Sequence, residues 1–444
     1  MPAFGTGNGA NRVKLDEVCP YPEAHHTYLL VYRIIDPSVF STFTNVFDPI
    51  STPGIVCGLS VRSYMRHIVT SLDKLCETFD TICLDNYKTK RESWHLESAA
   101  ALQQHISSHP HFSLETTAAQ LRTEKLLEPS PTGADADVDS TTRLHHFYVF
   151  CLIVISAHLF HPSAKAPVQT MFTIGDCIPG SIHRCWSILS NKVLVRDPRM
   201  PVARLIRRFG ELSPVVDGDQ RSYRAKTATL RADRFNARLF CSVLKMNIAW
   251  TDVLNTHLDY DTETNTIFLF RHATFCAMNS RFARDDRSAR IWESCVELED
   301  AEGSDSDHPK DLMCEIILSL YLIFGQEIQA RQHFSAKKVF EGWPHVDQDQ
   351  LLVMLCGGNW PFQNSTNEPK PVYYLATDFP MMQAKLDFLN EVVMHKEPKS
   401  SLQLWRNKRN TAQWYTFWAV ILYGTLGVLV GLAQLATSVI ALYK

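Results

Sequence analysis

Apolar residues recur along this chain in three rhythms, and each rhythm predicts a different kind of element. Where they return every three or four positions they mark one face of a helix. Ile68, Leu72, Leu75 and Phe79 do so beyond a Pro53-Gly54 turn, and Trp94 to Ile106 reads as a further helix with an Ala-rich centre. Met382, Leu386, Leu389 and Val393 line one face of another helix, which ends before Pro398. Trp250, Val253, Leu254, His257 and Leu258 fit the same spacing and predict an amphipathic helix. The alternative there is a hairpin, pairing Leu258–Tyr260 across the Asp261–Asn265 turn with the strand-like run Ile267-Phe268-Leu269-Phe270.

The second rhythm is unbroken. Thr27 to Ile35 is a short continuous apolar run, as expected of a buried strand. Phe147 to Ala157 is apolar on every side, and Leu312 to Gly325 is so apart from Glu315, with Gln326 just after it. They reach only part of the roughly 20 residues a membrane-crossing helix needs, which predicts core elements.

The third rhythm is longer than either. From Tyr415 to the end the chain holds no acidic residue, and no basic one before Lys444. That exceeds the length needed to span a bilayer, so a transmembrane helix is expected over 414–443. Trp414, Tyr415 and Trp418 would form an aromatic belt at one interface, with Tyr443 at the other. Arg406, Lys408 and Arg409 precede the span and only Lys444 follows it, which by the positive-inside rule places the preceding body in the cytosol. At about 1.5 Å per residue, a span starting near Tyr415 carries Gln434 close to the far headgroups. Gly427 and Gly431 make a GxxxG pair through which two spans could approach and dimerise. The opening residues are small and polar with no apolar h-region, so insertion is expected through the C-terminal helix, a tail-anchored topology. In that topology the sequon Asn364-Ser365-Thr366 stays unused.

Polar stretches divide the remainder. A disordered N-terminus (1–25) and an N-terminal helical part (26–127) come first. A Pro-, Gly- and Asp-rich linker or loop (128–142) follows, too poor in apolar residues to fold. The main part (143–398) carries an acidic loop at 299–309, whose spacing is not that of a calcium-binding EF-hand. A basic juxtamembrane segment (399–413) leads to the span. The predicted class is α+β: a mainly helical soluble body plus a single C-terminal transmembrane helix.

Net charge changes this picture little. The 444 residues carry a formal charge of −3, which argues against a nucleic-acid binder. Locally, Lys192 to Arg238 holds twelve Lys and Arg against five acids. Within it Val202, Leu205, Ile206 and Phe209 share a helical face, with Arg204, Arg207 and Arg208 on the other. Those arginines are candidates for contact with an anionic leaflet or a phosphorylated partner, against a simpler role as a solvated face. The twelve cysteines are scattered without a CxxC, as in a reduced cytosolic protein.

No GxSxG, P-loop, HExxH or GxGxxG occurs, so no catalytic, cofactor-binding or metal residue is assigned. His105 and His109 stand at i, i+4 with His111 close by, but Pro110 breaks the helix and no third ligand is evident. Cys177, His183 and Cys185 have no common zinc spacing, and His158 and His161 flank an apolar run. The leading expectation is an interaction or scaffold module at a membrane, with cytosolic proteins as partners beside the lipid bilayer. The alternative is a membrane-tethered enzyme with a site assembled from distant residues.

Three segments carry a resemblance. They are Ile248 to Asp261 with Ile267–Arg271 and Phe275-Cys276, then Leu320–Gln326, then Leu404–Asn410 running into Trp414–Ala419. In this order the chain, from about Asn191 onward, resembles a large group of uncharacterised filamentous-ascomycete proteins with a soluble region and one C-terminal membrane helix. His272-Ala273-Thr274 stands where that group would have Pro-Ser before Phe275. The resemblance implies the same topology and no activity.

Overall fold

Pro53 opens the first described helix, and its missing N–H is tolerated where an intrahelical partner is absent anyway. In the computed structural model the described residues run from 53 to 442. The exceptions are 80, 81, 84, 86–89, 110, 130–135, 164–170, 175–189, 211–227, 281–290, 297–307, 337–347, 363–367 and 396–410. The expectations for the N-terminus, the Thr27–Ile35 strand, the acidic loop as far as 307, the sequon, Cys177, His183, Cys185, Arg406, Lys408, Arg409 and Tyr443 fall outside them, while residues 308–309, counted in that loop, are helical.

Helix α1 (Pro53–Asp73) therefore begins where a turn was expected, and a short helix, Cys76–Phe79, continues its apolar face. Helix α2 (Arg91–Ser108) matches the Ala-rich prediction. Helix α3 (Leu114–Thr123) starts on a capping box, in which Ser113 accepts from Thr116 N–H and Thr116 answers at the Ser113 N–H. Helix α4 (Ala136–Ser156) begins inside the stretch read as a linker, so residues 136–142 are helical. Every residue from Phe147 to Ile155 is buried. Burying such side chains contributes roughly 1.5–3 kcal/mol each, so α4 is the axis around which α1, α2 and α3 pack.

The described strands form three small sheets. Strands β1 (Met171–Thr173) and β2 (Lys192–Leu194) pair antiparallel. Helix α5 (Val202–Arg207) follows, with Val202, Leu205, Ile206 and Phe209 turned into the core and Arg204, Arg207 and Arg208 exposed. Its apolar face is thus occupied by the protein's own core, where Phe209 stacks on Phe150, and is not free to lie on a leaflet. Strand β3 (Thr229–Arg231) pairs with the distant β7 (Val372–Tyr374).

The third sheet corrects the amphipathic helix expected around Trp250. That segment forms β4 (Asn247–Thr251), a 3-10 turn at Leu254–Thr256 and β5 (Tyr260–Asp261), which pairs antiparallel with β6 (Thr266–Phe270). The hairpin alternative holds here. β4 runs parallel to β6 on its other side, with Thr251 opposite Phe270. Trp250 and the β-branched residues around it fit a pleated surface better than a helix.

Helix α6 (Ala273–Met278) follows β6, and a short helix, Ile291–Val296, comes next. Helix α7 (His308–Leu320) widens into a π-helical turn at Tyr321–Gly325 before α8 (Ile328–Ala336). Together this bent pair is apolar enough to pass for a span, but it turns by 82° and its residues from Leu312 to Phe324 are almost all buried in the body. Inside it, Glu315 accepts from the backbone N–H groups of Met381 and Met382 at 2.7–3.1 Å. Gly325 is required here, since a Cβ would lie 1.9 Å from the Leu355 carbonyl oxygen. Helices α9 (Gln350–Cys356) and α10 (Gln383–His395) close the body, α10 burying Leu386, Leu389 and Val393 as its spacing predicts. Lys385 joins them: its ammonium donates to the carbonyls of Asn255 and His257 at 2.7 Å and pairs with Asp259 at 2.8 Å.

Helix α11 (Thr411–Leu442) stands apart from that core. Tyr415–Ala441 is long and apolar enough to cross a membrane, and none of it is buried in the body. Trp418 is half-covered against Phe417, while Tyr415 and Gln434 are exposed. Beyond the adjacent residues and the helix's own backbone, no described atom lies within 4 Å of a Cβ built on Gly427 or Gly431.

Candidate functional site

Parallel pairing of β4 and β6 makes the two strands end side by side. The residues just beyond them, Asp252 on one and Arg271 and His272 on the other, are therefore neighbours, and Arg271 N–H donates to the Thr251 carbonyl. Asp252 Oδ1 accepts from Arg271 Nε and, at 2.8 Å, from His272 Nε2. Burial acts to raise the Asp252 carboxyl. The His272 and Arg271 hydrogen bonds and the adjacent charges overcome that and hold it well below the usual carboxylate range.

A second histidine arrives from the end of α4. His158 N–H bonds to the Ile155 carbonyl and Leu159 N–H to the Val154 carbonyl, closing a Schellman motif. The residue in its left-handed position is usually glycine, yet here it is His158, at φ +53. The ring turns back over β4, with Nδ1 2.9 Å from the Asp252 carbonyl oxygen. The His158 carbonyl in turn accepts from Leu254 N–H.

His67 completes the group from the buried face of α1, one helical turn from Tyr64 and beside Ile68. Its ring stacks on His158 with centroids 4.6 Å apart and lies 4.7 Å from that of His272, which is 4.4 Å from His158. One ring nitrogen from each histidine lies within 4.8 Å of the others. Tyr64, Phe270 and Phe275 wall the group on its apolar side. Burial, then the neighbouring His272, pushes the His67 and His158 pKa values well below the ordinary range, against the pull of Asp252. Solvent comes nearest through Asp252 and Arg271, whose side chains are each 24% exposed.

Proton bookkeeping fixes the tautomers. A carbonyl or carboxylate oxygen can only accept, so His158 Nδ1 and His272 Nε2 carry hydrogens. The remaining nitrogens, His158 Nε2 and His272 Nδ1, are buried and have no hydrogen-bond partner.

Other polar clusters in the body are wired differently. His257 Nε2 lies 2.7 Å from Ser319 Oγ, superficially a nucleophile and its base. However, His257 Nδ1 accepts from Phe270 N–H, so Nε2 must be the protonated nitrogen, and Ser319 gives its own proton to the Ile316 carbonyl. That pair is a fully buried structural link and cannot activate the serine. Asp349 similarly joins two helices, accepting from Leu352 N–H and from Thr274 N–H and hydroxyl. Burial raises the Cys151, Cys276 and Cys356 thiols well above their usual range, which makes them poor nucleophiles.

The residues singled out from sequence scatter. His105 and His109 stack at 4.7 Å, with His109 Nδ1 near the His105 carbonyl, at the end of α2. They do not join the histidine group, and neither does exposed His111. Arg204, Arg207 and Arg208 line a surface turn of α5 away from it. The sequence pattern marks His158 as a candidate but not His67 or Asp252, and it marks His272 only as a departure within the resemblance. One signal was present: His67 falls on the same helical face as Tyr64, Ile68 and Leu72, where a polar residue is out of place.

Comparison with protein-family models, curated proteins and solved structures finds no match for this chain.

Proposed function

We propose that this is a tail-anchored, single-pass membrane protein whose body lies in the cytosol and works there as a membrane-tethered interaction module. The observation that carries the reading is the contrast in exposure. Every exposed large apolar side chain among the described residues, except Ile328, Tyr374 and Met394, belongs to α11. A soluble protein rarely leaves so much contiguous apolar surface in water. The 27 residues Tyr415–Ala441 extend about 40 Å as a helix, against a hydrocarbon core of about 30 Å. Arg406, Lys408 and Arg409 on the near side favour a cytosolic body.

A glycosylation acceptor appended after Lys444, with Asn364→Gln in the body, tests this in microsomes supplied after translation. Modification of the appended acceptor is expected. A membrane-bound chain that stays unmodified would mean that α11 does not carry its end across. The second reading, a membrane-tethered enzyme, is favoured by the histidine group, whose three histidines come from three separate segments, with Asp252 from a fourth, as an assembled site requires.

A further inference from the structure

We infer that His67, His158 and His272 together bind one divalent transition-metal ion, with zinc the best match, and that Asp252 positions two of these ligands. Three independent features meet at this point: convergence, orientation and unsatisfied polarity.

Convergence comes first. Three imidazoles from α1, the end of α4 and the start of α6 bring one nitrogen each to within 4.8 Å of the others. Zinc–imidazole bonds of about 2.0–2.1 Å place tetrahedral ligand nitrogens roughly 3.4 Å apart, so modest tilting of the rings closes the site. A three-histidine set leaves the fourth position for water or substrate.

Orientation follows from the second ring nitrogens. Metal-bound histidines typically give their other N–H to a carboxylate or a backbone carbonyl, which fixes the tautomer. Asp252 supplies both kinds of acceptor, its carboxylate to His272 and its carbonyl to His158. Arg271 holds that carboxylate in place.

Unsatisfied polarity is the third feature. The nitrogens that these bonds leave available, His158 Nε2 and His272 Nδ1, are both buried without a partner. A buried polar atom without a hydrogen bond is costly, and a bound cation removes the cost at both atoms together. His158 also occupies a left-handed position that glycine would fill with less strain, so its side chain is kept at the expense of the backbone. A purely structural stack of histidines explains neither the shared acceptor nor the two orphan nitrogens. Chemically, imidazole donors suit zinc, copper, nickel or iron and disfavour calcium and magnesium.

The test uses the full chain in detergent, stripped with chelator and titrated with Zn²⁺ or Co²⁺. One ion per chain is expected, with an intense visible Co²⁺ spectrum of tetrahedral type and a rise in Tm on loading. His67→Leu keeps an apolar fit on α1 and should fold without metal, yet lose both the spectrum and the rise in Tm. Asp252→Asn should weaken binding about 10–100-fold without abolishing it. A His105→Gln/His109→Gln variant should bind as the parent does. Absence of a stoichiometric ion in the parent, or an unchanged Co²⁺ spectrum in His67→Leu, would overturn the proposal.

Discussion

Helices α4 and α11 are both built from long apolar runs, yet they sit in opposite surroundings. From Phe147 to Ile155, α4 is buried on all sides by the body, while Tyr415–Ala441 of α11 is buried nowhere. Composition alone does not separate them. Length and polar context do: the α4 run is half a bilayer long and is followed by His158, which the fold uses. The bent pair α7–α8 makes the same point, because it carries Glu315 in its middle and the body supplies that carboxylate with three short contacts to N–H groups. α11 has no charge to satisfy, and nothing among the described residues covers it.

Truncating a side chain in each helix should separate the two environments most sharply. Phe150→Ala removes a fully buried ring and should cost the body about 3–5 kcal/mol in chemical unfolding. Leu429→Ala, on the uncovered helix, should change that stability by less than about 0.5 kcal/mol. Similar losses at both sites would mean that α11 packs against protein. Next in size is the reverse experiment. Leu429→Arg should disfavour membrane insertion by about 2.5–3.5 kcal/mol and shift the chain toward the soluble fraction, leaving the body's unfolding midpoint unchanged.

Glu315→Ala orphans the Met381 and Met382 N–H groups and should destabilise the body by about 1–3 kcal/mol. If α7 crossed a bilayer, removing the charge would favour it instead, so the sign of the change decides. Acidification probes the same core through other groups. Burial, then a nearby arginine in each case, lowers both His95 and His145 to about 4, from an ordinary value of 6.5. Above pH 6.5 both are neutral, folded or unfolded. Between 6.5 and 4 the unfolded chain takes up protons that the folded one refuses. Stability should therefore fall across that window, by about 1–3 kcal/mol for each histidine. His95→Phe should flatten part of the slope in a pH series of unfolding curves, whereas no change in α11 should affect it.

The smallest effect is expected at Gly427→Ala. Open space surrounds this glycine in the single chain, so body stability should stay within a few tenths of a kcal/mol. Cross-linking in membranes would report whether Gly427 and Gly431 serve a dimer: a dimer lost in this variant would assign them to the interface.

What could be read from the sequence follows from how local each signal is. A long uncharged run needs no tertiary context, so α11 was legible as a candidate span. So were the apolar faces that run from α1 to Phe79 and along α10, whose periodicity survives in the fold, and the Ala-rich helix α2. The Trp250 region was misread as a helix because its apolar residues fit a 3.6 period by coincidence, and sheet pairing with β6 decided otherwise. The linker was drawn too long, since composition near Asp137 and Asp139 says nothing of α4 extending back to Ala136. The histidine group was illegible for a different reason. His67, His158 and His272 lie 91 and 114 residues apart, and only the parallel register of β4 and β6, with the left-handed turn after α4, brings them together.

Carbonate extraction of membranes from cells making the full chain with an N-terminal tag addresses the central claim most directly. The account predicts that the chain stays in the carbonate-resistant pellet while protease removes the tag from intact membranes. Release of the chain into the carbonate supernatant would show that α11 does not span a bilayer, and a protected tag would place the body on the opposite side.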